Sequence, residues 1–319
     1  MELALTTRWN AGRHARGETL VEEILELGFT RLELGYDTRL DLTEGIRAMV
    51  ARQAVQVDSV HNFCPVPLGV HRAHPEIFTF AAKDAHIRRQ AVRYTIESIR
   101  FAAAIGARVV VTHCGNIDMP RYSPELMALA EQGQSFSAEY EKCKLKLQVK
   151  REKKARKQLG YWRECLDQLL PECEAQHIVL GMENMPTWEA VPTEMELEHV
   201  LHQYRSPWFK YWHDMGHGQI RANLGLINVE RWLERLTPHL AGMHVHDVRA
   251  PAQDHVMPPL GDMDFLRYKS VVNHHTHPLC VVEPTPHTPA AEVRAARIYL
   301  EQVWNTPTNS SQEEEFTSE

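Results

Sequence analysis

Short, dense apolar runs alternate along this chain with longer stretches in which apolar residues return every three or four positions. The dense runs read as strands and the spaced stretches as amphipathic helices. Residues 2–6 make the first strand. A Gly-containing loop leads to a helix at 18–27, with Leu20, Ile24 and Leu27 on one face and Gly28 closing it. A strand at 30–34, with Glu33 near its end, precedes a helix at about 42–53, and a strand at 55–60 runs into His61. A long helix at about 84–105 ends at Gly106. The strand at 108–112 has three consecutive valines, the pattern of a strand buried on both faces. Residues 116–140 are irregular with some helical potential, 141–176 are strongly helical, and 178–181 is a strand. Helices at about 193–204, 228–236, 262–272 and 289–303 then alternate with strands at 208–212, 240–245 and 279–282.

Eight strand–helix repeats in strict alternation imply a parallel sheet with right-handed crossovers, and eight units suggest closure into a (β/α)8 barrel. A doubly wound open sheet is the runner-up. It usually carries a Gly-rich phosphate-binding turn after its first strand, and none is visible here. One barrel is expected over 1–304, with an insertion at about 116–158 and a disordered acidic tail at 305–319. The segment 141–158 holds nine Lys/Arg against Glu141 and Glu152, an extended basic helix after strand 4. It reads as a solvated face or a homo-oligomer contact, with polyanion binding as the other reading.

Composition narrows the setting. The 319 residues are 43% hydrophobic with net charge −7, which gives no global attraction to nucleic acid or an anionic membrane. No apolar run is long enough to span a bilayer, and the N-terminus lacks a signal-peptide pattern. Six scattered cysteines without C-x-x-C spacing fit reduced thiols, so a cytoplasmic location is expected. The 19 histidines are the oddity, because histidine is the commonest metal ligand.

In a barrel the C-terminal ends of all strands converge on one face, where chemistry is found. Those ends read His61, His113, Glu183, Asp214 with His217, His244, and Glu283. Each alone has a bland explanation: Asp214 as a helix cap, Glu283 as a cap beside Pro284, a histidine as a hydrogen-bonded structural residue. Their convergence points to a metal centre. A set of Glu183, Asp214, His244 and Glu283 suits Mn, Mg or Co at least as well as Zn.

At these residues the chain resembles the xylose isomerase-like TIM barrels, a superfamily holding sugar and sugar phosphate isomerases and epimerases, inosose-type dehydratases and endonuclease IV. The likeness is carried by MEN at 182–184, HDMGH at 213–217, HVHD at 244–247, GDMDF at 261–265 and VVEP at 281–284. It implies that Glu183, Asp214, His244 and Glu283 bind one divalent metal ion per chain. Glu183 and Glu283 would also exchange the substrate proton on opposite faces, through a metal-stabilised ene-diolate. It further implies substrate contacts from Glu189, six residues after the first metal glutamate, and from His217. Arg249 is an approximate counterpart of the family's arginine beyond the seventh strand, one residue short of its spacing. Glu189 also reads as a solvated loop carboxylate. His61 and His113 are expected to hydrogen-bond sugar hydroxyls, and His255, on a long loop at 248–261, is expected at the substrate.

The expected activity is isomerisation or epimerisation of a sugar, sugar phosphate or cyclitol, with a dehydratase of the same superfamily as an alternative. The competing reading is an endonuclease IV-like zinc-dependent AP endonuclease. His61 and His113 match the histidines of that enzyme's first zinc, and Glu183 its bridging glutamate. Against it, Asp254 and His255 are adjacent where the nuclease has Asp-x-His, and no wedge loop for a bent duplex is visible.

Overall fold

In the computed structural model, which describes residues 2–306, the dense apolar runs close into one parallel barrel. The chain runs β1 (Leu3–Thr6), α1 (Gly17–Glu26), β2 (Arg31–Leu34), α2 (Leu40–Ala51), β3 (Gln56–His61), α3 (Ala85–Ile105) and β4 (Val109–Thr112). It continues through α4 (Ser123–Glu131), α5 (Ala138–Gln176), β5 (Val179–Glu183), α6 (Glu194–Tyr204), β6 (Phe209–Asp214), α7 (Met215–Asn223), α8 (Val229–Leu236) and β7 (Leu240–Val245). A short hairpin, β8 (Asp247–Arg249) and β9 (Gln253–Val256), precedes α9 (Lys269–Val272), β10 (Leu279–Val282) and α10 (Ala290–Asn305). Strands β1 to β7 pair in sequence, and β10 closes the ring between β7 and β1. The fold is a single (β/α)8 TIM barrel.

Side-chain alternation along a strand decides what the lumen holds. Ala4, Val109, Val111, Trp212, Leu279 and Val281 form an apolar layer inside the barrel, separate from the larger core between strands and helices. Two residues further along the same strands, the same face carries His113, Asp214 and Glu283, so the parity that fills the lumen also aims the polar residues at its mouth. Trp212 is the bulk of that layer: fully buried, it lies where a Cβ on Gly242 would stand, and its ring meets His244 edge-on at 5.1 Å between centroids.

Several element boundaries differ from the sequence reading, each for a local reason. Helix α7 starts directly after Asp214, whose side chain accepts from the His217 N–H at 2.7 Å. Gly216 and Gly218 are poor helix formers, so the sequence pattern hides this helix. Gly216 is needed because a Cβ there would collide with the His246 ring. The expected helix at 262–272 shrinks to α9 and a preceding 3-10 turn, Leu266–Tyr268. Asp247 pins the start of that segment as loop by accepting from the Gly261 and Met263 N–H groups at 2.9 and 3.0 Å. The loop at 248–261 contains the β8–β9 hairpin, and the irregular stretch at 116–140 contains α4. Helix α10 runs through Asn305, and the rest of the expected acidic tail, 307–319, lies outside the described residues.

Helix α5 is the outlier. Its 39 residues extend for roughly 58 Å at 1.5 Å per residue. Its C-terminal half packs along the barrel. Its basic N-terminal half reaches the loops beyond β4 and β5, where Arg151 is buried and donates to the Trp188 and Ala190 carbonyls and to Glu196. All six cysteines are buried and unbridged. Among the described residues no helix is long and apolar enough to cross a membrane.

Candidate active site

A pocket of about 270 Å³ opens at the C-terminal ends of the strands, at the small end of ligand clefts. At its floor His244 sits between two groups of carboxylates. Its Nδ1 lies 3.3 Å from Glu183 Oε1, 3.4 Å from Glu283 Oε2 and 3.8 Å from Asp214 Oδ2. Its Nε2 lies 3.1 Å from Glu33 Oε1, and Glu33 in turn accepts from the Ser59 hydroxyl at 2.8 Å. Sequence reading noted Glu33 at a strand end but gave it no role. The arrangement is a carboxylate–histidine pair in which Glu33 fixes the outer nitrogen of His244 and leaves Nδ1 facing the three other carboxylates. Glu33, His244 and Asp214 are completely buried, and Glu183 and Glu283 nearly so.

Glu183 is shared. Its second oxygen, Oε2, lies 3.0 Å from His113 Nε2 and 3.3 Å from His61 Nε2. His61 donates Nδ1–H to the Asn62 carbonyl at 3.1 Å, so in the neutral ring Nε2 presents a lone pair to a carboxylate oxygen. Two acceptors at that separation repel unless a proton or a cation lies between them. Ligand atoms of Glu183, Asp214 and His244, and separately of His61, His113 and Glu183, all lie within 4.8 Å of one another. The donor chemistry therefore fits divalent cations at both oxygens of Glu183.

Electrostatics follow from this crowding. Burial alone would raise the Glu183 carboxyl, but His113 and His244 hold it well below the usual carboxylate range. Burial likewise opposes ionisation of Glu33, and His244 keeps it low. Burial pulls His244 down, yet Glu283, Glu33 and Glu183 raise it well above an ordinary imidazole. Without a cation the protons of this centre thus reside on histidine. Coordination at His244 Nδ1 requires that nitrogen to be free of its proton. Cation affinity is therefore expected to rise with pH through and beyond the ordinary imidazole value and to weaken below it. Calorimetric titrations at pH 7 in buffers of different ionisation enthalpy should register proton release on binding. Buffer-independent heats would contradict this proton placement.

The remaining residues expected at the site divide. His217 donates Nδ1–H to the Asn184 carbonyl at 2.9 Å and lines the pocket with His61, His113 and His255. Two others are elsewhere. Glu189 is fully buried, but it caps α4: its oxygens accept from the Tyr122 and Ser123 N–H groups and from the Ser123 hydroxyl. It is not among the residues lining the pocket, against the substrate-contact expectation. Glu189→Ala should cost about 1–3 kcal/mol of stability by orphaning buried donors, read in urea denaturation, with substrate KM little changed. Arg249 is exposed and donates to the Leu260 carbonyl at 3.0 Å, away from the pocket.

Arg8, beyond β1, is at the pocket although sequence reading assigned it no role. Its Nη1 lies 3.3 Å from Glu283 Oε1, and its guanidinium sits 5.6 Å over the Tyr36 ring. Both Arg8 and Tyr36 line the pocket, as do Glu76, Asn116 and Arg121. His246 was also missed. It accepts the His255 N–H at Nδ1, 2.9 Å, and so donates from Nε2 to Asp214, 3.1 Å, holding that carboxylate in place. The sequence signal for His246 was its position two residues after His244, on the same face of the chain.

A family model described as xylose isomerase-like TIM barrel matches residues 21–303. No curated protein matches the sequence. Solved structures do match. A D-tagatose 3-epimerase-like protein aligns with TM-score 0.69 at 16% identity, over 96% of this chain and 97% of that one. A 3-keto-D-glucoside 4-epimerase from E. coli gives 0.67 at 13%, over 95% and 99%. An L-ribulose 3-epimerase gives 0.68 at 12%, over 96% and 95%. At these identities the structural likeness establishes the fold.

Proposed function

The chain belongs to the xylose isomerase-like TIM-barrel family, and from that premise we propose that it is a divalent-metal-dependent isomerase or epimerase of a sugar, sugar phosphate or cyclitol. The observation that carries this reading is the meeting of Glu183, Glu283, Asp214 and His244 Nδ1 at one point on the pocket floor. Structural neighbours named as sugar 3- and 4-epimerases support it.

Glu183, Asp214, His244 and Glu283 would hold the cation, with Mn, Mg, Co and Zn all compatible with the donor set. When bound, the ion supplies Lewis acidity toward a carbonyl oxygen and its neighbouring hydroxyl, stabilising the negative charge that develops next to the reacting carbon. Glu183 and Glu283 take the carbon-bound proton and return it. Arg8 holds Oε1 of Glu283 and leaves Oε2 turned toward His244. Hydroxyl groups of the substrate find donors and acceptors in His61, His113, His217, His255 and Tyr36, and Met185 and Pro186 exclude water from one wall. The test is solvent deuterium wash-in on candidate ketoses. Label should enter only with added divalent cation. No incorporation into any candidate, with or without cation, would sink the proposal.

A second reading, zinc-dependent cleavage at abasic sites in DNA, is favoured by one observation, the pair His61 and His113 on the second oxygen of Glu183. Asp254 is partly exposed, 3.9 Å from His255 Nδ1 within its own hairpin, and among the described residues it joins no group of three or more side chains able to share an ion. Nicking of an abasic duplex by the zinc-loaded protein would favour this reading over sugar chemistry.

A further inference from the structure

Two guanidiniums line the pocket, those of Arg8 and Arg121. Arg8 is engaged by Glu283 and by the Tyr36 ring. Arg121, between β4 and α4, is exposed, and among the described residues it forms no ion pair. Glu76 lines the same pocket, yet its contacts are with Asn116 Nδ2 at 3.2 Å and His113 Nδ1 at 4.0 Å. The segment carrying Arg121 is held on both sides. Before it, the Ile117 N–H donates to the Glu189 carbonyl at 2.8 Å, and Lys154 Nζ donates to the Asp118 carbonyl at 2.6 Å. After it, the Tyr122 and Ser123 N–H groups donate to the Glu189 carboxylate at 2.5 and 2.9 Å, and Lys150 donates to the Tyr122 hydroxyl. A cation without a counter-ion is thus set on fixed backbone, in a segment that two lysines bond. Fixed backbone lowers the ordering cost of binding, and the neighbouring positive charge favours an anion.

We propose that Arg121 binds a terminal anionic group of the substrate, so that the compound turned over is a sugar phosphate or a sugar acid and not a neutral sugar. The planar fork of a guanidinium matches two oxygens of a phosphate or a carboxylate equally well. Arg8 is already committed to Glu283, and Arg249 donates to the Leu260 carbonyl away from the pocket. Arg121 is therefore the permanent cation of the pocket that an incoming anion can take without displacing a carboxylate. It contacts none of Glu183, Asp214, His244 or Glu283, so it acts on specificity and leaves proton transfer to them. The inference rests on the isomerase or epimerase reading of the site.

The test titrates ribitol, ribonate and ribitol 5-phosphate by calorimetry into the Mn²⁺-loaded full chain as wild type, Arg121→Ala and Arg121→Lys. None of the three compounds has a ketone or aldehyde, so binding is read without turnover. In wild type at least one of the two anions should bind about 10- to 100-fold more tightly than ribitol, the range of one charge-assisted bidentate contact. Preference for ribitol 5-phosphate assigns a phosphate ester, and preference for ribonate assigns a sugar acid. Arg121→Ala, which truncates an exposed side chain, should erase the preference. Arg121→Lys, a charge without the fork, should keep part of it. Equal affinities for all three compounds in wild type, a preference that survives in Arg121→Ala, or no binding of any of them overturns the role of Arg121. Deuterium wash-in with ketoses on the same wild-type preparation separates the two readings: label in a neutral ketose with no Arg121-dependent preference keeps the isomerase reading alone. Arg121-dependent anion binding with no label in any ketose, neutral, phosphorylated or carboxylated, overturns the sugar chemistry and with it the assignment of the anion as substrate.

Discussion

Glu183→Gln is expected to lower proton exchange on the substrate by about 10²- to 10⁴-fold, the range for loss of a positioned acid–base group, and to remove cation binding with it. Glu183 presents one oxygen to His244 and the other to His61 and His113, so both donor sets depend on it. A glutamine in its place offers one neutral acceptor oxygen and an NH2 group that cannot ligate. Glu283→Gln should depress exchange by a similar factor but spare the His61–His113 side, because among the described residues the Glu283 carboxylate pairs with His244 and Arg8 and not with His61 or His113. The two variants are therefore separable: deuterium wash-in fails in both, whereas residual cation uptake, measured by calorimetry, persists in Glu283→Gln alone. Unchanged wash-in in Glu183→Gln would remove that residue from the chemistry.

The second large effect concerns the lumen. Trp212→Ala should destabilise the fold by about 3–5 kcal/mol, as for other buried Trp and Phe truncations. The indole is fully buried among Ala4, Val109, Val111, Leu279 and Val281. Gly242→Val should be comparably damaging from the opposite direction, since even a Cβ there would overlap the Trp212 ring. Urea denaturation of the metal-free protein reads both. The indole also packs edge-on to His244, so Trp212→Ala should lower cation affinity beyond its effect on stability. A midpoint within experimental error of wild type would mean the barrel interior is not packed as described.

The barrel and the metal-facing quartet were legible in sequence because both depend on period-two alternation in short strands. Leu279–Val281–Glu283 and Trp212–Asp214 each place an apolar filler and a ligand on one face. What sequence could not supply was the partner across the barrel. Glu33 matters because Nε2 of His244, more than two hundred positions away, needs an acceptor. Arg8 matters because Glu283 returns beside it when β10 pairs with β1. Glu189 misled for the same reason. Its spacing from Glu183 matched a substrate-contacting glutamate, yet the donors that capture it belong to Tyr122 and Ser123, in a segment with no clear pattern of its own. Local rhythm reveals which residues reach the mouth; only closure reveals which of them are already spoken for.

Helix α5 gives this mouth an asymmetric approach. Lys150 and Lys154 of its basic half bond to the Tyr122 hydroxyl and the Asp118 carbonyl, on the loop that also carries Arg121 into the pocket. No lysine of that half pairs with a carboxylate among the described residues. On a chain of net charge −7, incoming solutes therefore meet a positive flank on one side of the mouth. A phosphorylated or carboxylated compound is gathered along that flank at a rate that drops as salt shortens the reach of the field, and a neutral sugar arrives at a rate indifferent to salt. The ionic-strength dependence of association thus reports the charge of a ligand before its identity is known.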